Sequence, residues 1–310
     1  MTAEGPRFSI CVPTYNRREI LPDLIRSVAD QTFRDFELVI IDDGSSDGTD
    51  EYIREEKDKQ DFEIKYMWQP NGGRHRAINR IEELAAGELT IIFDSDDLLL
   101  PNALERLNHH WESIEEEKKE GYGGVERLCL REQDRKPIGT PYPLDVFDSD
   151  HVTNYYVLGL KGDRTRAIRT EVLKEIKFPE IEGENYLPPA FVWNRIALRY
   201  KYRCFNEPLA VKRYQPSGVT AKSALYRARN PLGARLTYLD FLTTICSAFP
   251  VKKRFYLRAY INYIRFSMHA GLSLGEIQKE TPDKALTWAM LPPACLLYFR
   301  DRLYLKGSAR

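Results

Sequence analysis

The chain has 310 residues, 43% of them hydrophobic, enough to bury a sizeable core in one large domain or two, which excludes a disordered polymer. Its 46 Lys and Arg balance 46 Asp and Glu, yet from Arg195 onward 21 basic residues face 6 acidic ones, so that stretch carries roughly +15. Such polarity calls for an anionic partner, whether acidic lipid, nucleic acid or the chain's own acidic half.

In chain order, residues 8–12 read as a buried strand, and 19–30 as a helix with Ile20, Leu21, Leu24, Ile25 and Val28 at helical spacing. A strand follows at 37–41, a charged surface helix at 47–59, a strand at 63–67, a helix at 74–85 and a strongly apolar strand at 89–93. Strands separated by helices imply right-handed crossovers and a mostly parallel sheet covered on both faces. Residues 101–120 read as one long helix opened by Pro101 and closed by Gly121. Segments 124–131 and 164–169 read as strands on either side of a Pro- and Asp-rich loop region, 191–200 as a helix, and everything from about Ala221 as helices rich in Tyr, Phe, Leu and Arg. The five cysteines, Cys11, Cys129, Cys204, Cys246 and Cys295, are odd in number and lack CxxC spacing, so neither a disulfide framework nor a zinc site is indicated and a reducing cytoplasm fits. Residues 1–7 are short and polar, without an apolar signal segment. The longest apolar run, 285–299, is interrupted by Pro292-Pro293, flanked by Arg300, Arg302 and Lys306, and too short to span a bilayer.

Open sheets of this kind bind ligands beyond the carboxyl ends of their strands. That rule sends four motifs to one rim: Pro13-Thr14-Tyr15-Asn16, Asp42-Asp43-Gly44-Ser45, Asn71-Gly72-Gly73-Arg74 and Asp94-Ser95-Asp96-Asp97. Three carboxylates in four residues repel one another unless a hard cation or donor groups neutralise them, which points to Mg²⁺ or Mn²⁺ with phosphate oxygens completing the shell. A cap for the following helix would need one acid only. The run from Asp43 mimics a calcium loop, but its twelfth position is Arg54 where a bidentate Glu is required. What remains is either a helix-capping turn or an acid suited to a base N–H or ribose hydroxyls. Tyr15 is placed to stack on a nucleobase or to pack half-buried, with Asn16 beside it. Gly72 and Gly73 permit close backbone approach; Arg74 and Arg76 are either phosphate partners or surface arginines at a turn. A GxGxxG fingerprint after the first strand is missing, against a nicotinamide or flavin enzyme.

These motifs, with Gln31-Thr32-Phe33 leading into the second strand and Ala86-Gly87-Glu88 into the fourth, resemble the family 2 glycosyltransferases across residues 8–101; the likeness continues less specifically from Lys161 to Thr220. The resemblance implies an α/β GT-A fold, a nucleotide-diphosphate sugar donor with UDP-sugar favoured, a Mn²⁺ or Mg²⁺ ion, and inversion at the anomeric carbon. It implies that Tyr15 and Asp43 hold the base with Pro13 and Thr14 shaping the pocket, that Asp94 meets the ribose or the metal beside Ser95, that Asp96 is the principal metal ligand supported by Asp97, and that Arg74 lies near the diphosphate. Inverting transfer also needs a base on the acceptor hydroxyl. Here the sequence departs from the family pattern: an acid expected just before the helix at 191–200 is replaced by Pro188-Pro189, which leaves Glu184 as the base candidate with Glu182 and Asp163 as alternatives, against a plain solvated acidic loop. The Gln-x-x-Arg-Trp motif and membrane spans of processive members are absent, so single-sugar transfer is expected; Arg195 is open to packing or acceptor contact.

The expected organisation is a GT-A domain over 1–220, with a nucleotide-sugar half (1–100) and an acceptor half (101–220), followed by a basic helical region over 221–310. That region is read either as a peripheral dock on an anionic membrane carrying a glycan or lipid-linked acceptor, or as a core helix pair or homo-oligomer contact. A cytoplasmic protein, peripheral on the inner face of the plasma membrane, acting in envelope, capsule or exopolysaccharide assembly, is the resulting expectation. Its rivals are a catalytically impaired nucleotide-sugar-binding partner of another transferase, and a nucleic-acid binder, for which no RRM, KH or zinc-finger signature is present.

Overall fold

The computed structural model describes residues 5–214 and 223–307. Eleven strands are present among them: β1 (Phe8–Thr14), β2 (Phe36–Asp42), β3 (Glu63–Trp68), β4 (Leu89–Ile92), β5 (Leu98–Leu99), β6 (Tyr122–Leu128), β7 (Leu130–Arg131), β8 (Val146–Ser149), β9 (Arg164–Arg169), β10 (Lys201–Phe205) and β11 (Ala210–Lys212). The main sheet has the order β3-β2-β1-β4-β9-β6-β10-β8, and β5-β11-β7 form a small second sheet. Residues 8–92 build a purely parallel half, β3-β2-β1-β4. Beyond it β9 runs antiparallel between β4 and β6, and β8 antiparallel to β10, so the sheet is mixed as a whole.

Strands β1 and β2 are buried on both faces with almost no alternation, as a parallel sheet covered by helices requires. The helix Leu21–Ala29 buries Leu21, Leu24, Ile25 and Val28 along one stripe, each contributing roughly 2 kcal/mol. The long helix expected over 101–120 is instead Ala103–Glu112 followed by a 3₁₀ turn, Glu116–Gly121. Trp111 and Ile114 are its last buried apolar residues; the acidic and basic run after them offers no face to the core, only short-range pairs such as Glu115–Lys118. The helix expected over 74–85 is divided into Arg74–Asn79 and Ile81–Leu84. Strands β8, β10 and β11 and the helix Thr170–Glu175 were not expected from sequence.

The chain forms two compact units. Among the described residues, the first comprises 5–151, 160–177 and 199–214; the second 152–159, 178–198 and 223–307. Segments 152–159 and 178–198 thus lie with the C-terminal helices rather than within the 1–220 stretch of the expected first domain, and the 220/221 boundary itself falls outside the described residues. The second unit gathers Ala190–Ala197, Pro231–Asp240, Lys253–His269, Leu274–Glu280 and Lys284–Gly307 around Phe241, Ile245, Tyr260, Tyr263 and Ile264. Ser273 and Glu276 make a capping box on Leu274–Glu280, and Arg265 is buried against Asp301. The helix Lys284–Gly307 continues through Pro292-Pro293, where the apolar run had been expected to break.

Candidate active site

Strand register brings four loops to one rim of the first unit. Thr14, Asp42 and Trp68 stand in one row across β1, β2 and β3, and the Phe93 amide donates to the Cys11 carbonyl at 2.9 Å, so the turn 94–97 leaves the sheet beside the end of β1. The loops after β1 and β2 are laced together: the Asn16 amide donates to Ser45 Oγ at 2.8 Å, the Ser46 amide to Asn16 Oδ1 at 2.9 Å, and the Arg18 amide to Asp47 Oδ2 at 3.0 Å. Asn16 takes a left-handed backbone (φ 51°), and Tyr15 beside it is exposed with its ring available for stacking. Thr14 is buried, with a hydroxyl that has no hydrogen-bond partner among the described residues; Pro13 is half-buried.

Asp42 and Asp43 are both buried, and both serve the loops. Asp42 accepts from the Ser45 amide (2.8 Å) and the Tyr66 hydroxyl (2.9 Å). Asp43 accepts four bonds: Oδ1 from Gln69 Nε2 (2.6 Å) and the Gly72 amide (2.9 Å), Oδ2 from Asn71 Nδ2 (3.2 Å) and the Gly73 amide (2.8 Å). Four donors fill the acceptor capacity of a carboxylate, so Asp43 as it stands fixes the loop 69–73 rather than offering an oxygen to a base. Asn16 Oδ1 is likewise taken by the Ser46 amide. Gly44 lies at φ 89°, where an added Cβ would meet the Asn71 amide nitrogen at 2.7 Å, so the close approach of these two loops requires glycine.

The acidic turn is divided by its partners. Asp94 Oδ1 accepts from Arg74 Nε (3.0 Å) and Nη2 (2.6 Å), and Asp94 Oδ2 from Lys212 Nζ at 3.0 Å. Desolvation would raise the Asp94 carboxyl, but Arg74 and Lys212 override it and hold the group well below the usual carboxylate range. Asp97 is buried, paired with Lys212 Nζ, and accepts from the Arg213 amide at 3.1 Å. Burial disfavours the Lys212 ammonium, yet the carboxylates of Asp94 and Asp97 keep it protonated, well above its ordinary value. Asp96 has no ion pair among the described residues, and desolvation together with the charge of Asp94 pushes its carboxyl up. Ser95 is buried between them.

That donor set fits a hard divalent cation of one kind. Asp96 is the carboxylate a cation would stabilise, and Asp94 becomes a second ligand only if Arg74 or Lys212 yields it. No group of three or more His, Cys, Asp or Glu is gathered to hold a metal among the described residues. A Mg²⁺ or Mn²⁺ bound through one or two carboxylates with phosphate oxygens completing its shell matches this; an all-protein zinc or calcium cage does not.

The three base candidates separate. Asp163 accepts from the Tyr214 hydroxyl at 2.5 Å, in the first unit, and Tyr214 directly follows Arg213 at the acidic turn. Glu182 is exposed on a turn of the second unit. Glu184 is buried there with both oxygens engaged, Oε1 by the Leu232 amide and Oε2 by the Gly233 amide, each at 2.6 Å. Those are the first free N–H groups of the helix Pro231–Asp240, so Glu184 caps a helix, its carboxyl raised by burial against the pull of the two amides. Arg195 pairs with Asp240 at 2.8 Å in the same unit, a packing contact. Lys212 and Arg213 were missed by sequence reasoning; the signal available was the unneutralised acidic turn itself, which demanded a cation from elsewhere.

The glycosyl transferase family 2 model matches residues 9–175, more than half of the chain and all four rim loops. Similar proteins include a GalNAc(5)-diNAcBac-PP-undecaprenol beta-1,3-glucosyltransferase of Campylobacter jejuni, 34% identical over 42% of this chain and 40% of that protein. A putative teichuronic acid biosynthesis glycosyltransferase of Bacillus subtilis is 35% identical over 34% of this chain and 42% of its own length. The chain thus spans about two fifths of these curated relatives. Among solved structures, residues 1–349 of Staphylococcus aureus TarS with UDP-GlcNAc align at a TM-score of 0.57 and 18% identity, covering 97% of this chain and 92% of that one. The mannosyltransferase PcManGT of Pyrobaculum calidifontis with GDP-Man and Mn²⁺ aligns at 0.52 and 19%, covering 98% and 84%. At such identities the structures speak for the fold, and the family match, resting on the same segment that carries the laced loops and the acidic turn, speaks for descent: this chain is a member of glycosyl transferase family 2, built on the GT-A fold.

Proposed function

We propose that the protein transfers a single sugar from a UDP-sugar to a hydroxyl acceptor, with inversion and dependence on Mn²⁺ or Mg²⁺, in envelope, capsule or exopolysaccharide assembly. The observation that carries this is Asp96, an unpaired carboxylate between Asp94 and Asp97, whose own charges Lys212 and Arg74 already balance. Support for a nucleotide donor comes from TarS with UDP-GlcNAc and PcManGT with GDP-Man and Mn²⁺, which share the fold. In this reading Asp96 is the principal ligand, and a bound divalent cation offsets the charge that builds on the leaving diphosphate. Tyr15 stacks on the base, Thr14 and Pro13 wall its pocket, and Asp43 acts by fixing the loop 69–73. Arg74, now donating twice to Asp94, is the side chain best placed to turn toward the diphosphate. The anomeric carbon–oxygen bond breaks with its electrons leaving on UDP, the acceptor oxygen bonds that carbon, and its proton passes to a carboxylate. Asp163 is our candidate for that base, because it is linked through Tyr214 to the segment that lines the rim, whereas Glu184 is committed to a helix end.

We also propose that the protein works in the cytoplasm, attached peripherally to the inner face of the plasma membrane near a glycan or lipid-linked acceptor. No helix of the described residues is long and apolar enough to cross a membrane.

Thermal unfolding with UDP in the presence and absence of Mn²⁺ tests the donor reading, since a ligand that binds the native state raises Tm. A rise with UDP that depends on Mn²⁺ is expected; no response in either condition sinks the proposal. UDP release from UDP-sugars then separates enzyme from non-catalytic partner. The partner reading draws on the engaged Glu184 and on Pro189 where an acid was expected, and it predicts UDP binding without turnover. In an active protein, Asp163→Asn should lower kcat while leaving UDP affinity unchanged; full activity in this variant removes Asp163 as the base.

A further inference from the structure

The helix Lys284–Gly307 presents to solvent a stripe that nothing in the described structure covers. Trp288, Leu296, Phe299 and Leu303, with Tyr304 at the margin, are 55–73% exposed. At 3.6 residues per turn the first four fall within about 80° of arc, so they form one face and not a scatter of single residues. The exposed charges on the same helix are Lys284, Arg300, Arg302 and Lys306, all cationic. Its one acid, Asp301, is buried on the opposite side, where Arg265 and His269 bind it and the half-exposed Arg300 reaches it at 3.5 Å. We infer that this face is a docking surface for an anionic lipid bilayer, lying in the plane of the headgroups with the aromatic and Leu side chains inserted and the Lys and Arg side chains among the phosphates.

Two observations choose a bilayer over a second protein. The exposed charge is of one sign, so two copies meeting through this face would bring Lys and Arg against Lys and Arg, whereas anionic headgroups complement it. Pro292 and Pro293 lack N–H groups, so the carbonyls of Trp288 and Ala289 lose their helical donors, and both residues are exposed. A dry protein interface would leave those carbonyls unsatisfied; the hydrated headgroup layer supplies water to them. Trp and Tyr are also the side chains that settle at that depth.

This deepens the peripheral-attachment reading above, and vesicle binding needs no sugar transfer, so failure of either leaves the other intact. The full chain is co-sedimented with phosphatidylcholine vesicles with and without phosphatidylglycerol. Binding is expected with phosphatidylglycerol, falling steeply as salt rises, and weakened by about tenfold or more in Phe299→Asp/Leu303→Asp, whose circular dichroism and Tm should match the parent. Lys284→Ala/Arg302→Ala/Lys306→Ala should lose the phosphatidylglycerol preference while leaving the fold unchanged. A parent protein that stays in the supernatant with anionic vesicles overturns the inference. So does a Phe299→Asp/Leu303→Asp protein that binds vesicles undiminished, or one that turns a dimer into a monomer without altering vesicle binding, which would make the face a contact between copies.

Discussion

Lys212 decides what each carboxylate of the acidic turn is able to do. One ammonium serves Asp94 and Asp97 together, and Arg74 adds a second cation to Asp94, so Asp96 alone is left with charge to offer. Stability and function should therefore part at these positions. Asp96→Asn removes a carboxylate that its neighbour repels, so the protein should unfold at the same or slightly higher urea, while Mn²⁺-dependent transfer falls on the order of 10²–10³-fold, the scale of losing one charge-stabilising group. Lys212→Met should do the reverse to the fold: the buried Asp97 loses its cation and Asp94 keeps only Arg74, at a cost of about 3 kcal/mol. Adding Asp97→Asn to Lys212→Met should recover part of that loss, because the pair is coupled; additive losses in urea titrations would show that it is not.

At the level of elements, the end of the helix Pro231–Asp240 settles the part Glu184 plays. Glu184→Ala leaves the Leu232 and Gly233 amides without acceptors and should cost about 1–2 kcal/mol, read as a lower Tm, with transfer retained by the folded fraction. Unchanged Tm with transfer abolished would return Glu184 to the role of base. Sequence favoured Glu184 because an acid near 191–200 fits the family's pattern, but which backbone amides it meets depends on a helix 48 residues away. The same distinction runs through the fold. The parallel half was legible because β1, β2 and β4 are predominantly apolar runs and each ends in a motif loop. The helix after Pro101 was read too long because its charged continuation keeps helical propensity while losing any face to bury. Strand β10 alternates Tyr202 and Cys204 inward with Lys201 and Arg203 outward, a pattern too short and too charged to announce a strand directly after a helix. Lys212 and Arg213 were illegible for a different reason: their partner Asp97 lies 115 and 116 residues away, and only the pairing of β11 with β5 and β7 brings them back to the rim.

For the molecule as a whole, pH acts on stability through histidines as well as through the acids. His110 is buried and stacked on Phe205 at 3.8 Å; burial first, then Arg106, His109 and Arg203, push it down to about 4, with Glu207 opposing. His151 accepts from Arg166 Nη2 through Nδ1 at 2.9 Å and is pushed to about 3 by burial, Arg166 and Arg164, with Glu126 opposing. An unfolded histidine titrates near 6.5. As pH falls through that value the unfolded chain takes up protons that the folded one refuses, so each histidine draws stability down until its folded value is passed. Raised acids such as Glu184 act with the opposite sign, because the folded state then binds the extra proton, and the net curve of the parent protein mixes both. His110→Phe separates them: an aromatic ring still faces Phe205, but the titration is gone. Between pH 6.5 and 4 the variant should lose less stability than the parent, by about 1–2 kcal/mol at the acid end once solvent screening is allowed for, and the two should run parallel above pH 7. Urea unfolding at a series of pH values reads the difference directly, and parallel curves throughout would mean that His110 already carries its proton in the folded protein.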